Sequence, residues 1–165
     1  MPIPWVLQLV NSFASNPRAA ADEEHTPYPP PPEPARSAGL TVPDLVGLAD
    51  RIWPVFGAAT DHDRAAALNA LLDGAPLAPR IHPDGSVGWT GPAVGPAAAL
   101  PARCALALFD AVREHGWSRL GVCAGEDCVD VHLAASARGG RRYCSATCLN
   151  RARVRAYRAR QRDAP

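Results

Sequence analysis

The sequence predicts a mainly α chain with a short β-hairpin. An α-rich body over residues 1–117 precedes a small cysteine-bearing module over 118–165. Three observations carry this reading. Apolar residues recur at helical spacing through most of the first 117 positions. Four of the five cysteines fall into two close pairs near the C-terminus. The charge is also divided. Residues 1–137 hold 8 Arg and 15 Asp/Glu, a net −7, whereas 138–165 hold 9 Arg and one acid, a net +8. Every one of the 17 basic residues is arginine. This Ala-, Arg- and Pro-heavy usage suggests a GC-biased bacterial genome.

The body opens with Trp5, Val6, Leu9, Val10 and Phe13 at helical spacing, which predicts an amphipathic helix on the core. The stretch lacks a basic leader and is too short to span a bilayer, so a cytoplasmic chain is expected. Residues 25–38 contain six prolines and read as an extended loop or linker. In "LTVPDLVGLADRIWP", Thr41 is a candidate N-cap with Asp44 three residues on and Pro43 in the first turn. Leu45, Leu48 and Ile52 share a face, and Pro54 ends that helix. A second helix is capped by Thr60 or Asp61. It buries Ala65, Leu68, Leu71 and Leu72 and stops at Gly74.

Asp84-Gly85 signals a hairpin turn between strands near 79–82 and 86–90. A helix follows over about 97–116, with Leu100, Leu106, Phe109 and Val112 expected inward and Gly116 as its stop. Cys104, on the apolar face of that helix, reads as an ordinary buried cysteine.

In the module, four residues separate Cys123 from Cys128 and three separate Cys144 from Cys148. The 15-residue insert between the pairs, "VDVHLAASARGGRRY", suits two strands around the Gly139-Gly140 turn. A helix from about Thr147 to Arg162 closes the module. Two close pairs at this spacing predict one structural zinc held by Cys123, Cys128, Cys144 and Cys148. The second pair sits at a helix start, where N–H groups favour thiolate over thiol. The competing reading is four reduced or reactive cysteines. His132 could replace one thiolate, but its place within a strand favours a surface position. Knuckle, hairpin and helix together resemble a treble-clef finger.

The closing helix carries Arg151, Arg155, Arg158 and Arg162 on one face, with Arg153 and Arg160 flanking. Val154, Tyr157 and Gln161, preceded by Asn150, form a second stripe expected to lie on the hairpin. Arg138, Arg141 and Arg142 extend the basic surface. So short and charged a helix frays alone, which explains why a metal anchors its first turn. Arginine contacts phosphate bidentately and can read guanine.

The stretch "RRYCSATCLNRARVRAYRARQR" resembles the C-terminal signature of the CGNR zinc-finger family. The family's Cys-Gly-Asn-Arg stands here as Cys148, Leu149, Asn150 and Arg151. Leu149 departs from the family glycine, and the second cysteine spacing is three where four is common. "LQLVNSFAS" resembles the opening of that family's N-terminal ABATE domain, with Asn11 in the asparagine position. The resemblance implies a stress-induced transcription regulator in which a DNA-binding finger follows a ligand- or partner-sensing body.

DNA is therefore the expected partner. The alternatives are an RNA-binding module and a zinc-stabilised scaffold for an acidic protein, including the chain's own body. No enzyme is expected and no catalytic residue is assigned. The sequence holds no phosphate loop, nucleophile elbow or His-Glu-x-x-His. Asp61-His62-Asp63 reads as a helix N-terminus.

Overall fold

The computed structural model describes residues 1–73, 77–91, 95–134 and 142–162. Helices α1 (Ile3–Phe13), α2 (Ser15–Ala20), α3 (Val42–Ile52), α4 (Pro54–Gly57) and α5 (Asp61–Asp73) come first. Strands β1 (Ala78–Ile81) and β2 (Val87–Thr90) form an antiparallel hairpin, followed by α6 (Pro96–His115). A 3-10 turn over Trp117–Arg119 leads into β3 (Leu120–Val122) and β4 (Val131–Leu133), and α7 (Ala146–Arg162) follows. The described residues are mostly helical with two small antiparallel hairpins among them.

The local signals for the helices are read correctly. The Asp44 carboxylate accepts from the Thr41 amide at 2.9 Å and from its hydroxyl at 2.5 Å, starting α3. These bonds hold the Asp44 carboxyl below the usual carboxylate range. Thr60 does the same for α5, donating its hydroxyl to Asp63 at 2.7 Å and accepting the Asp63 amide at 3.1 Å. Asp63 is thus engaged in a helix cap. Gly74, the expected stop of α5, lies outside the described residues.

One hydrophobic core joins α1, α3, α4, α5 and α6, with Phe13, Phe56, Leu9, Leu45, Ile52 and Leu108 among its fully buried side chains. Each such burial contributes about 1.5–3 kcal/mol against exposure. In α5 only Leu68 and Leu71 are buried, while Ala65 and Leu72 are half-buried. In α6 the buried face is Leu100, Cys104, Ala105, Leu108 and Ala111. The expected face is therefore corrected in phase. Leu106 is only half-buried, and Phe109 sits at the edge, against Trp89 of β2 with ring centroids 5.8 Å apart. The inward side of α6 thus mixes two leucines, Leu100 and Leu108, with the small residues Cys104, Ala105 and Ala111. Cys104 is fully buried, and burial pushes its thiol up to about 12.

The proline-rich stretch packs on the body. Trp5 donates its indole N–H to the Glu33 carbonyl, and Tyr28 stacks on Phe13 at 6.0 Å. Arg18, almost wholly buried, lies 4.2 Å from the Tyr28 ring centre and donates to the Glu23 carbonyl at 2.6 Å.

The second hairpin differs from the expected one. β4 pairs antiparallel with β3, which precedes the first cysteine pair, in the register Leu120↔Leu133, Gly121↔His132 and Val122↔Val131. The first cysteine pair therefore sits in the loop of this hairpin. Residues 142 and 143 lie in no strand, and the Gly139-Gly140 turn is outside the described residues. The hairpin also joins the main core, since Leu120 and Val131 are 2% and 1% exposed. His132 is corrected too. It is buried, not a surface residue, because its ring covers Gly121, where a Cβ would stand 3.0 Å from the His132 Cε1.

Candidate metal centre

β3 delivers Cys123 directly from the core, and the ladder runs on past the strand through the Cys123 amide to the Asp130 carbonyl at 2.8 Å. The chain then turns through Ala124–Asp127 and returns at Cys128, closed by a single bridge between Gly125 and Cys128. A side chain at Gly125 would press on Cys128 Cβ at 3.3 Å and Cys123 Sγ at 3.4 Å, so this tight turn needs glycine for its close approach. The second pair arrives at the start of α7. Ala124 donates its amide to the Arg142 carbonyl at 2.6 Å, tying the two knuckles together. Ser145 accepts the Cys148 amide at 3.2 Å and so caps the first turn of α7.

These elements bring all four predicted cysteines together. Their Sγ atoms lie within 4.8 Å of one another, and the Cys128–Cys144 and Cys144–Cys148 separations are both 3.6 Å. A tetrahedral ion with sulfur at about 2.3 Å requires sulfur–sulfur edges of about 3.8 Å. The cluster has that size. Backbone amides of Gly125 and Cys144 point at Cys123 Sγ, at 3.4 and 3.3 Å.

The sulfurs do not titrate alike. The Ser145 hydroxyl holds the Cys148 thiol below its ordinary value. Desolvation pushes Cys128 well up, and Cys144 up to about 12. Four thiolates crowded this closely repel one another, and a divalent cation among them removes that repulsion. With four protein ligands no coordination position stays open for a substrate, so the set suits a structural ion. His132 lies in the adjoining strand, outside the cluster.

Asn11, which the sequence marks only by resemblance, and Trp53 and Arg64, which it does not single out, anchor this centre to the body. Asn11 of α1 donates its side-chain N–H to the Val131 carbonyl at 3.1 Å and accepts the Val131 amide at 2.7 Å. Trp53 donates its indole N–H to the Val129 carbonyl at 3.4 Å. The Trp53 ring lies over Gly57, where any Cβ would fall 2.4 Å from it. Arg64 of α5 reaches the Trp117 and Leu120 carbonyls, both at 3.4 Å. These contacts span 53 to 120 residues, so no local pattern signals them.

α7 projects from the second knuckle. Arg151, Arg153, Arg155, Arg158, Arg160 and Arg162 are all exposed, as is Arg142. Arg155 turns back to the first knuckle, pairing with Glu126 and with Asp127 at 3.3 Å. Arg138 and Arg141 are outside the described residues. The stripe expected to lie on the hairpin is instead solvent-facing, with Val154 49% and Tyr157 57% exposed. The side of α7 nearer the knuckle is lined by Cys148, Ala152 and Ala159. The helix is tied to the module through Cys148 at its first turn and through the Arg155 ion pairs with the first knuckle, not through Val154 or Tyr157.

A four-cysteine metal-binding module at the base of an arginine-rich helix is thus the class that fold and site define. Residues 119–161 match the family model described as the CGNR zinc finger. No curated protein sequence matches the chain significantly. Among the described residues, no helix is long and apolar enough to cross a membrane.

Proposed function

We propose that the chain is a zinc-dependent DNA-binding protein that regulates transcription. One structural zinc on Cys123, Cys128, Cys144 and Cys148 holds the knuckles and the first turn of α7. The observation that carries the reading is the helix itself. Six exposed arginines follow the metal cluster within twelve residues, with no acid among them. Such a surface binds a polyanion by releasing its counterions. Arg151, Arg153, Arg158, Arg160 and Arg162, with Arg142, supply the contacts, and Arg155 contributes less because Glu126 and Asp127 already neutralise it. The body, by resemblance an ABATE domain, senses a ligand or protein. Its net charge of −5 over residues 1–117, from 7 Arg and 12 acids, makes it a poor partner for phosphate. The zinc has no catalytic role, and reduced cytoplasm suits the thiolate cluster.

A second reading is a zinc-stabilised scaffold for an acidic protein. It is favoured by the engagement of Arg155 with carboxylates. Binding of the full chain to duplex DNA and to RNA, across a salt series with and without chelator, separates these readings. Salt-dependent duplex binding that chelation abolishes supports the regulator. A flat titration with zinc bound decides for the scaffold, and preference for RNA decides for an RNA-binding module.

A further inference from the structure

The exposed side of α7 holds more than charge. Thr147, Asn150, Val154, Tyr157 and Gln161 recur at spacings of 3, 4, 3 and 4, so they form one continuous stripe along the helix. All five are exposed, on the side away from Cys148 and Ala152. Arginines border the stripe on both sides, Arg153 and Arg160 along one, Arg151 and Arg158 along the other. After Asn150, the larger uncharged side chains Val154, Tyr157 and Gln161 all fall between two rows of cations, a pattern that suits a partner with negative charge along two edges.

The same spacing would serve as a coiled-coil seam with a second copy of α7. The borders then occupy the positions that face each other across such a seam, and all four are arginine. Like charges would oppose each other at every bordering position, so a second copy is disfavoured. A duplex meets the pattern from both sides, with phosphates along each edge of the groove and base edges on its floor. The stripe is about 21 Å long at 1.5 Å per residue, and the B-form major groove, about 12 Å wide, admits a helix. The major groove of A-form RNA does not.

We infer that this stripe is the sequence-reading edge of the protein, docked in the major groove of duplex DNA, with the bordering arginines on the two backbones. This rests on the DNA-binding function proposed above and assigns the residues that discriminate between sequences. Asn150 and Gln161 each present a donor and an acceptor that match adenine, and Val154 presents apolar surface to a thymine methyl. The preferred site therefore contains A·T pairs.

The test uses the full, zinc-loaded chain. Bound sequences are enriched from a randomised DNA duplex pool, and the enriched duplex is compared with a scrambled one across a salt series. The wild type should prefer the enriched duplex. The double variant Asn150→Ala, Val154→Ala should lose that preference, by roughly 5- to 150-fold for each lost base contact. Its binding to the scrambled duplex, its salt slope and its zinc content should match wild type. Arg153→Ala with Arg158→Ala should weaken both duplexes alike and flatten the slope by about two.

A preference that survives the stripe variant overturns the assignment while leaving DNA binding intact. So does wild-type binding with no preference at all. Absence of duplex binding overturns both this assignment and the function it rests on. Tighter binding to RNA, or a dimer that Val154→Ala and Tyr157→Ala dissociate, also overturns it.

Discussion

Asn11→Ala should destabilise the protein by about 2–4 kcal/mol, although residue 11 lies 120 positions from its partner. Asn11 satisfies both main-chain groups of Val131, at 2.7 and 3.1 Å, and Val131 is 1% exposed. Each hydrogen bond contributes a net of about 0.5–1.5 kcal/mol, and each buried group left unpaired costs about 1–3 kcal/mol. Asn11 and Val131 also line an open cavity beside the second knuckle, so water can reach the freed groups and the penalty falls toward the smaller figure. Asn11→Asp preserves the shape and the acceptor but sets a carboxylate oxygen against the Val131 carbonyl. It should do no better than alanine. Urea unfolding followed by tryptophan fluorescence and by helical circular dichroism measures the change. Chelator-driven zinc release should also quicken, since β4 leads directly out of the first knuckle. A loss below about 0.5 kcal/mol, the range of an ordinary surface substitution, would refute the claim that this pincer joins body and metal centre.

Cys144→Ser should abolish stoichiometric metal by elemental analysis. It should remove the α7 contribution to circular dichroism while the α1–α6 core stays folded, because structural zinc supplies on the order of 10–16 kcal/mol of coupled folding energy. A chain ending at residue 117 should fold without binding DNA. It should melt below the full protein because Leu120 and Val131 no longer close the core. Arg158→Ala should lower the salt slope of duplex binding by about 0.9. Arg155→Ala should lower it less, since Glu126 and Asp127 already hold that guanidinium. Asp44→Ala should lower the melting temperature at neutral pH. The Asp44 carboxyl titrates below its ordinary value of 3.8 in the folded state, so its stabilisation is present above that value and fades as pH falls through the folded pKa. The two proteins should therefore converge in acid.

Much of the helical body was legible because its signals are local. Thr41 with Asp44 and Thr60 with Asp63 declare helix starts within four residues, and the cysteine pairs declare a ligand set by spacing alone. What was misread depends on long-range choices. Strand 131–133 pairs backward with 120–122, a partner the cysteine spacing does not signal, and Leu120 and Val131 of that pair are buried in the core. His132 has the polar character of a surface residue, yet it is buried with its ring over Gly121, which has no side chain to displace it. The face of α6 is shifted because Cys104, Ala105 and Ala111, weak hydrophobic signals, share it with Leu100 and Leu108. Val154 and Tyr157 have the spacing of a packing stripe, but α7 is held through Cys148 at its first turn and Arg155 on the first knuckle, which leaves that stripe in solvent.

Beside the buried Val131 side chain, the body holds the strand leaving the first knuckle by its backbone. Asn11 grips the peptide groups of residue 131, and Trp53 the carbonyl of residue 129. Such a grip is blind to side-chain identity. The half-buried residue at position 129 could be exchanged widely without loosening it. Position 11 must keep a carboxamide of one length, and position 57 can gain a side chain only if Trp53 gives way. The freedom to vary and the obligation to stay constant thus sit on opposite sides of the same contact.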